Sequence, residues 1–244
     1  MKYAVFSDIH SNLEAYEAVL AEISGEGVKG YYCCGDIVGY GADPVECIKK
    51  TFQINPETVA GNHDWGAVGL TDIENFSPHA KSAVTWTGEA LGEEEKEYLK
   101  ALRLLKKNDF LLVHGSPRRP EEFDYIFGLN QAYGAFLQME EDDIGLCFAG
   151  HTHAAGVFIK EANGGMFYNS SPEVTVEDGK KYIVNVGSIG QPRDGDPRAA
   201  YCIYDAGRKL IQIKRVRYDI EKAKDKIINA GLPRVLGERL VLGK

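Results

Sequence analysis

Short apolar runs alternate with amphipathic stretches along the first half of the chain, and most runs end in a polar loop. Tyr3–Ser7 predicts a buried strand ending at Asp8. Glu14–Ile23 places Ala15, Ala18, Val19 and Ile23 at helical spacing, with Gly25 or Gly27 to end the helix. Tyr31–Cys34 predicts a second strand stopping at Gly35-Asp36. Pro44–Phe52 predicts a helix with Asp43 as N-cap and Pro44 in its first turn. Glu57–Ala60 predicts a third strand, stopping at Gly61-Asn62-His63-Asp64. Residues 77–107 read mainly as helix, with the acidic stretch after Gly92 as an exposed first turn. Phe110–Val113 and Leu146–Ala149 predict further buried strands.

Beyond His153 the pattern becomes β-rich. Val157–Lys160, Met166–Asn169, Lys181–Val186, Ala199–Tyr204 and Leu210–Val216 are strand-like runs separated by Gly, Asn and Asp turns. Asp219–Asn229 predicts a helix. Strand–helix alternation implies right-handed crossovers and largely parallel sheet. The expected fold is a single α/β domain over residues 1–244: two mixed β-sheets face to face in a sandwich flanked by helices.

Composition narrows the setting. No run approaches the roughly 18 to 20 apolar residues that cross a bilayer, and the N-terminus turns polar too early for a secretory signal. A cytoplasmic protein is expected. Five cysteines, an odd number with Cys33 and Cys34 adjacent, predict buried free thiols rather than a disulfide framework. The net charge of −8 argues against a nucleic-acid surface or an anionic-membrane surface. A phosphorylated substrate remains compatible, because bound cations add local positive charge that a formal count omits. A homo-oligomer is also compatible.

Candidate chemistry lies in the strand-end loops. Five of them carry potential ligands: Asp8-Ile9-His10, Gly35-Asp36, Gly61-Asn62-His63-Asp64, His114-Gly115 and Gly150-His151-Thr152-His153. Of the six histidines, only His79 lies outside them. Ligands gather at the carboxyl ends of strands in open α/β sheets. Carboxylate oxygen and imidazole nitrogen suit Mn, Fe, Zn, Co or Ni, and absence of cysteine from these loops argues against a structural zinc site. A single Asp-x-His is commonly a turn; five ligand-bearing loops in order point to one metal centre.

This ordered set resembles the calcineurin-like metallophosphoesterases, in particular their small bacterial and archaeal phosphodiesterase branch. Asn185-Val186-Gly187-Ser188 resembles that branch's later signature. The resemblance implies the two-sheet sandwich and two divalent ions, with manganese favoured. One ion would be held by Asp8, His10, Asp36 and His153. The other would be held by Asp36, Asn62, His114 and His151, with Asp36 bridging. Two such ions clamp a phosphoryl group and acidify a bridging water, whose hydroxide attacks phosphorus in line. By the same resemblance His63 faces the substrate as a catalytic residue, stabilising the phosphoryl group or protonating the leaving oxygen, and Asp64 orients its imidazole.

Substrate contacts are expected from Arg193 and Arg198, since guanidinium matches phosphate oxygens. The alternative is a solvated loop in which these arginines pair with Asp194 and Asp196. Tyr40 is read either as a stacking residue for a base or aryl group or as core. Arg118 and Arg119 read as surface residues. The expected activity is hydrolysis of a small phosphorylated compound, most simply a phosphodiester or a nucleotide or dinucleoside polyphosphate. A phosphomonoesterase or protein serine/threonine phosphatase would use the same site. A non-catalytic protein-interaction scaffold is the alternative of another class, and retention of the histidines speaks against it.

Overall fold

Strand β1 (Lys2–Phe6) buries both its faces on different partners, which sets the layering. Ala4 and Phe6 face one way, among residues of the first two helices; Val5 faces the other, toward a second sheet. The computed structural model describes residues 1–244 and contains twelve strands and eight α-helices, with one short 3-10 turn at Pro120–Glu122. After β1 come α1 (Leu13–Ser24), β2 (Gly30–Cys33), α2 (Pro44–Ile54), β3 (Glu57–Thr58) and α3 (Asn62–Ala67). They are followed by α4 (Pro78–Ala90), α5 (Glu93–Ala101), β4 (Leu105–Lys107), β5 (Leu111–Val113), α6 (Leu129–Glu141) and β6 (Leu146–Ala149). The remainder is β7 (Gly156–Lys160), β8 (Met166–Asn169), β9 (Glu173–Thr175) and β10 (Lys181–Asn185), then β11 (Ala199–Asp205), β12 (Leu210–Val216), α7 (Ile220–Asn229) and α8 (Arg234–Leu242).

The strands form two mixed six-stranded sheets, ordered β3-β2-β1-β11-β12-β9 and β4-β5-β6-β10-β7-β8. Each has a parallel portion: β1 with β2 and β2 with β3 in one, β5 with β6 and β6 with β10 in the other. Val5, Cys34, Val59, Cys202 and Ile211 of the first sheet pack on Leu112, Phe148, Val157 and Val184 of the second. Helix α6 covers the outer face of the second sheet through Ala132, Ala135, Phe136 and Met139, which meet Leu111, Val113, Cys147 and Ile183. The result is the two-sheet, helix-flanked sandwich expected from the sequence. All five cysteines are buried and free. No helix is long and apolar enough to cross a membrane.

Five elements went unread in the sequence, among them helix α3, whose first residues Asn62-His63-Asp64 were read as a loop. β4 and β9 are three-residue strands at sheet edges, too short for an alternating pattern. Helices α6 and α8 contain Gly134 and Gly237 and have no side-chain N-cap hydrogen bond, so their boundaries carry little signal. Asp43 precedes α2 as expected, yet its side chain makes no cap hydrogen bond; it pairs with Lys226 of α7 at 2.9 Å.

Candidate metal centre

The parallel strands of both sheets send their carboxyl ends to one edge. There β1 leads to Asp8 and His10, β2 to Asp36, β3 to Asn62, β5 to His114, and β6 to His151 and His153. Backbone hydrogen bonds join the two sets of loops: Ile189 N–H donates to Ser7 O at 3.0 Å, and Gly190 N–H to Asp8 O at 2.8 Å. Two ligand clusters result, Asp8 with His10 and His153, and Asp36 with His114 and His151; every member is buried. Asn62 joins the second, its Oδ1 lying 3.1 Å from His114 Nε2.

Each carboxylate is held by one oxygen and leaves the other bare. Asp8 Oδ2 accepts from His151 N–H at 3.0 Å, and Asp36 Oδ1 accepts from His63 N–H at 2.8 Å. Asp8 Oδ1 and Asp36 Oδ2 are buried and have no hydrogen-bond partner. Asp36 Oδ2 lies between the clusters, 3.5 Å from His10 Nε2 and 3.2 Å from His114 Nε2. Unpartnered buried carboxylate oxygens are costly, and a cation removes that cost.

The histidines are oriented from behind. Nδ1 of His10 lies 3.0 Å from Val38 O, that of His114 2.7 Å from Cys34 O, and that of His153 2.6 Å from Gln191 O. A carbonyl only accepts, so each Nδ1 carries a proton and each ring turns its Nε2 inward, as a bare donor wherever the ring is neutral. Yet His10 Nε2 and His153 Nε2 stand 3.0 Å apart, and His153 Nε2 is 3.2 Å from Asp8 Oδ1. Lone pairs facing lone pairs at this range repel unless a cation sits among them. Two nitrogens each about 2.1 Å from one ion, at angles of roughly 90–110°, lie about 3.0–3.4 Å apart. The donor set therefore fits divalent cations.

Charge reinforces this. Burial disfavours the charged form of His114, but Asp36 outweighs it and raises the ring to about 9, a proton standing where a cation would. Burial, with Arg193 nearby, lowers His153 to about 4, so this ring is a neutral donor. The backbone is strained to match. Asp8, His10, Asp36, His151 and His153 all have positive φ, between 48° and 68°. Asp and His tolerate this region better than most residues, at a cost of roughly 1–3 kcal/mol each.

His63 packs beside Tyr40, with ring centroids 4.4 Å apart, and beside Phe76 at 5.1 Å. Burial pushes its imidazole well below the ordinary value. Asp64 does not orient it, contrary to expectation. The Asp64 carboxylate accepts backbone N–H bonds from Asp36 at 2.8 Å, Gly61 at 3.0 Å and Val38 at 3.2 Å, while His63 Nδ1 has no partner. Asp64 thus ties the Asp36 loop to the Asn62 loop. Burial and the Asp36 charge raise its carboxyl to about 7.

A cavity of about 480 Å³ opens on this edge, lined by Asn62, His63, His151, Tyr40, Tyr125 and Arg193, among others. Arg198 lies outside it: Asp196 holds its guanidinium with contacts of 2.6–3.1 Å, the solvated-loop alternative. Tyr40 is both core and cavity wall, being only 7% exposed. Tyr125 and Arg239 are among the cavity residues that carried no signal in the sequence. Tyr125 stacks on His151 at 3.7 Å and 13°, and Arg239 arrives from α8. The Asn185–Ser188 segment is a brace. Asn185 Nδ2 donates to Gly150 O at 2.6 Å, and Ser188 Oγ donates to Asp8 O at 2.8 Å.

Comparison with known proteins agrees with this geometry. The sequence model of the calcineurin-like phosphoesterase superfamily domain matches residues 1–209. An uncharacterized protein of Methanocaldococcus jannaschii is 39% identical over 250 residues, covering 99% of this chain and 98% of its own. The crystal structure of a metallophosphoesterase from Sphaerobacter thermophilus superposes with a TM-score of 0.86 at 37% identity, over 100% of this chain and 99% of that one. A hypothetical protein from Pyrococcus horikoshii OT3 shares the fold, with a TM-score of 0.77 at 23% identity over 100% and 98% of the two chains. The chain belongs to the calcineurin-like phosphoesterase superfamily.

Proposed function

We propose that this protein hydrolyses a phosphoester bond of a small phosphorylated compound at a centre of two divalent ions, manganese being the favoured metal. Asp8, His10, Asp36 and His153 would hold one ion; Asp36, Asn62, His114 and His151 would hold the other. The observation that carries this reading is the pair of buried, unpartnered carboxylate oxygens, Asp8 Oδ1 and Asp36 Oδ2, among inward-facing histidine nitrogens. Bound there, the ions supply Lewis-acid polarisation of a phosphoryl group and an acidified water as nucleophile.

The chain's own residues orient the reaction. His63 lies at the cavity wall and donates a hydrogen bond to the phosphoryl or leaving oxygen. Arg193 lines the same cavity and offers a guanidinium to phosphate. Tyr40, Phe76 and Tyr125 restrict water and give an aryl group or base a surface to lie on. A cavity of about 480 Å³ accommodates a substantial leaving group, which favours a phosphodiester or a nucleotide or dinucleoside polyphosphate over a simple monoester.

The test is a metal-supplemented activity panel of a phosphomonoester, an aryl phosphodiester and nucleoside polyphosphates. Turnover of the latter two should exceed that of the monoester. His63→Ala should keep its metal content and lose roughly 10²–10⁴ in rate. An unchanged rate in that variant removes the role of His63. A metal-loaded protein that cleaves nothing in the panel removes the function.

A further inference from the structure

We infer that Arg193 and Arg239 form an anion subsite beside the metal centre that selects substrates carrying a second phosphate next to the scissile one. This rests on the phosphoesterase reading and adds to it the element that sets substrate class. The two guanidinium carbons lie 5.3 Å and 5.4 Å from the centroid of the same Tyr40 ring. That ring is 4.4 Å from His63 and 4.6 Å from His10. Measured through the Tyr40 centroid, the Arg239 guanidinium carbon is within about 10 Å of the His63 ring. Both arginines line the cavity that reaches Asn62 and His151.

Neither arginine is paired with an Asp or Glu side chain. Arg198, Arg215 and Arg234 are closed by Asp196, Asp194 and Glu238. Arg193 instead donates from Nη2 to Gln191 Oε1 at 2.7 Å, and its buried Nε has no partner. Arg239 donates from Nε to Lys244 O at 3.1 Å, leaving both terminal amino groups free of protein acceptors. Burial, and next the Arg193 charge, lower the Arg239 pKa, so the pair is held together against repulsion. An arriving anion relieves that repulsion, and the guanidinium fork matches phosphate oxygens. Exposed Asp72, Glu121 and Glu122 border the same cavity and disfavour a polyanion lying against them. A second phosphate is therefore directed to the arginines.

The experiment uses the manganese-loaded full chain, with pyrophosphate and orthophosphate as calorimetric probes. Wild type should bind pyrophosphate at least about tenfold more tightly than orthophosphate, and Arg239→Gln should bring the ratio within about threefold. Arg239→Lys should recover part of the difference. In turnover, Arg239→Gln should raise KM for a nucleoside polyphosphate at least about tenfold more than KM for an aryl phosphodiester. An unchanged pyrophosphate ratio in Arg239→Gln, or equal KM shifts for both substrates, overturns the subsite. A wild type that cleaves no phosphoester overturns the functional reading instead, and the calorimetric ratio still judges the subsite. Should Arg239→Gln not fold, as judged by its melting curve, Arg193→Gln is read in the same two assays.

Discussion

Asp36→Asn is the most discriminating perturbation of the metal centre. The isostere keeps an oxygen for the His63 N–H, because Asp36 Oδ1 accepts that bond at 2.8 Å. The amide nitrogen then falls at the Oδ2 position, between His10 Nε2 and His114 Nε2. One charge and one lone pair disappear there, and two N–H groups point where cations would sit. Four-ligand zinc sites bind with roughly 10–16 kcal/mol, or about 3 kcal/mol per contact. That is about a hundredfold in affinity for one ion. Because Asp36 is proposed to serve both ions, joint occupancy should fall by about 10⁴. Asp8→Asn is the matched control. Its Oδ2 accepts from His151 N–H, so the amide lands at Oδ1, which faces only His10 and His153. It should weaken one ion by about a hundredfold and spare the other.

The assay is metal content by mass spectrometry after dialysis at fixed free manganese, with the melting temperature as a check on folding. Asp36→Asn should lose both ions over a range of free metal in which Asp8→Asn retains one. An Asp36→Asn protein that holds one ion at wild-type affinity refutes the shared position of Asp36. Equal behaviour of the two variants refutes it as well.

Two further predictions follow from neighbouring contacts. A Cβ on Gly150 would overlap Asp8 Oδ2 and Ser7 Oγ, so Gly150→Ala should displace Asp8 and weaken the first ion roughly 10- to 100-fold, read by metal titration; unchanged affinity would show that Asp8 need not be held there. Lys226 of α7 pairs with Glu14 at 2.7 Å and with Asp43 at 2.9 Å, and the Glu14 side chain is only 6% exposed. Lys226→Met should cost about 1–3 kcal/mol, lowering Tm by roughly 2–10 °C. Burial pushes the Glu14 carboxyl up, but Lys226 and Lys222 outweigh it and hold it below its ordinary value. That stabilisation is present above the unfolded carboxyl pKa and is lost as pH falls through the lower folded one. The Tm difference between wild type and Lys226→Met should accordingly shrink on acidification, and a difference that widens would refute the assignment.

The ligand loops were legible because their signal is local. Asp8, Asp36, Asn62, His114 and His151 each follow a short apolar strand, and strands ending in parallel at one sheet edge bring such loops together. Asp64 was misread for an equally local reason. Adjacent residues of a helix point about 100° apart, so succession in sequence does not make His63 and Asp64 partners. As the third residue of α3, Asp64 instead meets the Gly61 amide, and the Asp36 loop supplies two more donors. Tyr125 and Arg239 could not be read at all. Each reaches the cavity through packing between distant segments, and a lone aromatic or arginine in a loop or helix carries no pattern.

This difference in legibility reflects a division of labour within the molecule. The proposed metal ligands sit where strands buried on both faces end, anchored by backbone amides and carbonyls. Such positions tolerate little change, because moving one carboxylate oxygen disturbs an amide bond in a neighbouring loop. Of the proposed substrate contacts, Arg239 sits on α8, whereas Tyr40 and Arg193 sit on loops whose carbonyls, Val38 O and Gln191 O, orient His10 and His153. Tyr125 couples the two layers as well, since its ring lies flat on the proposed ligand His151. Exchange of α8 should therefore alter which phosphoester is bound while leaving the metal centre in place, whereas changes at Tyr125 should register in both.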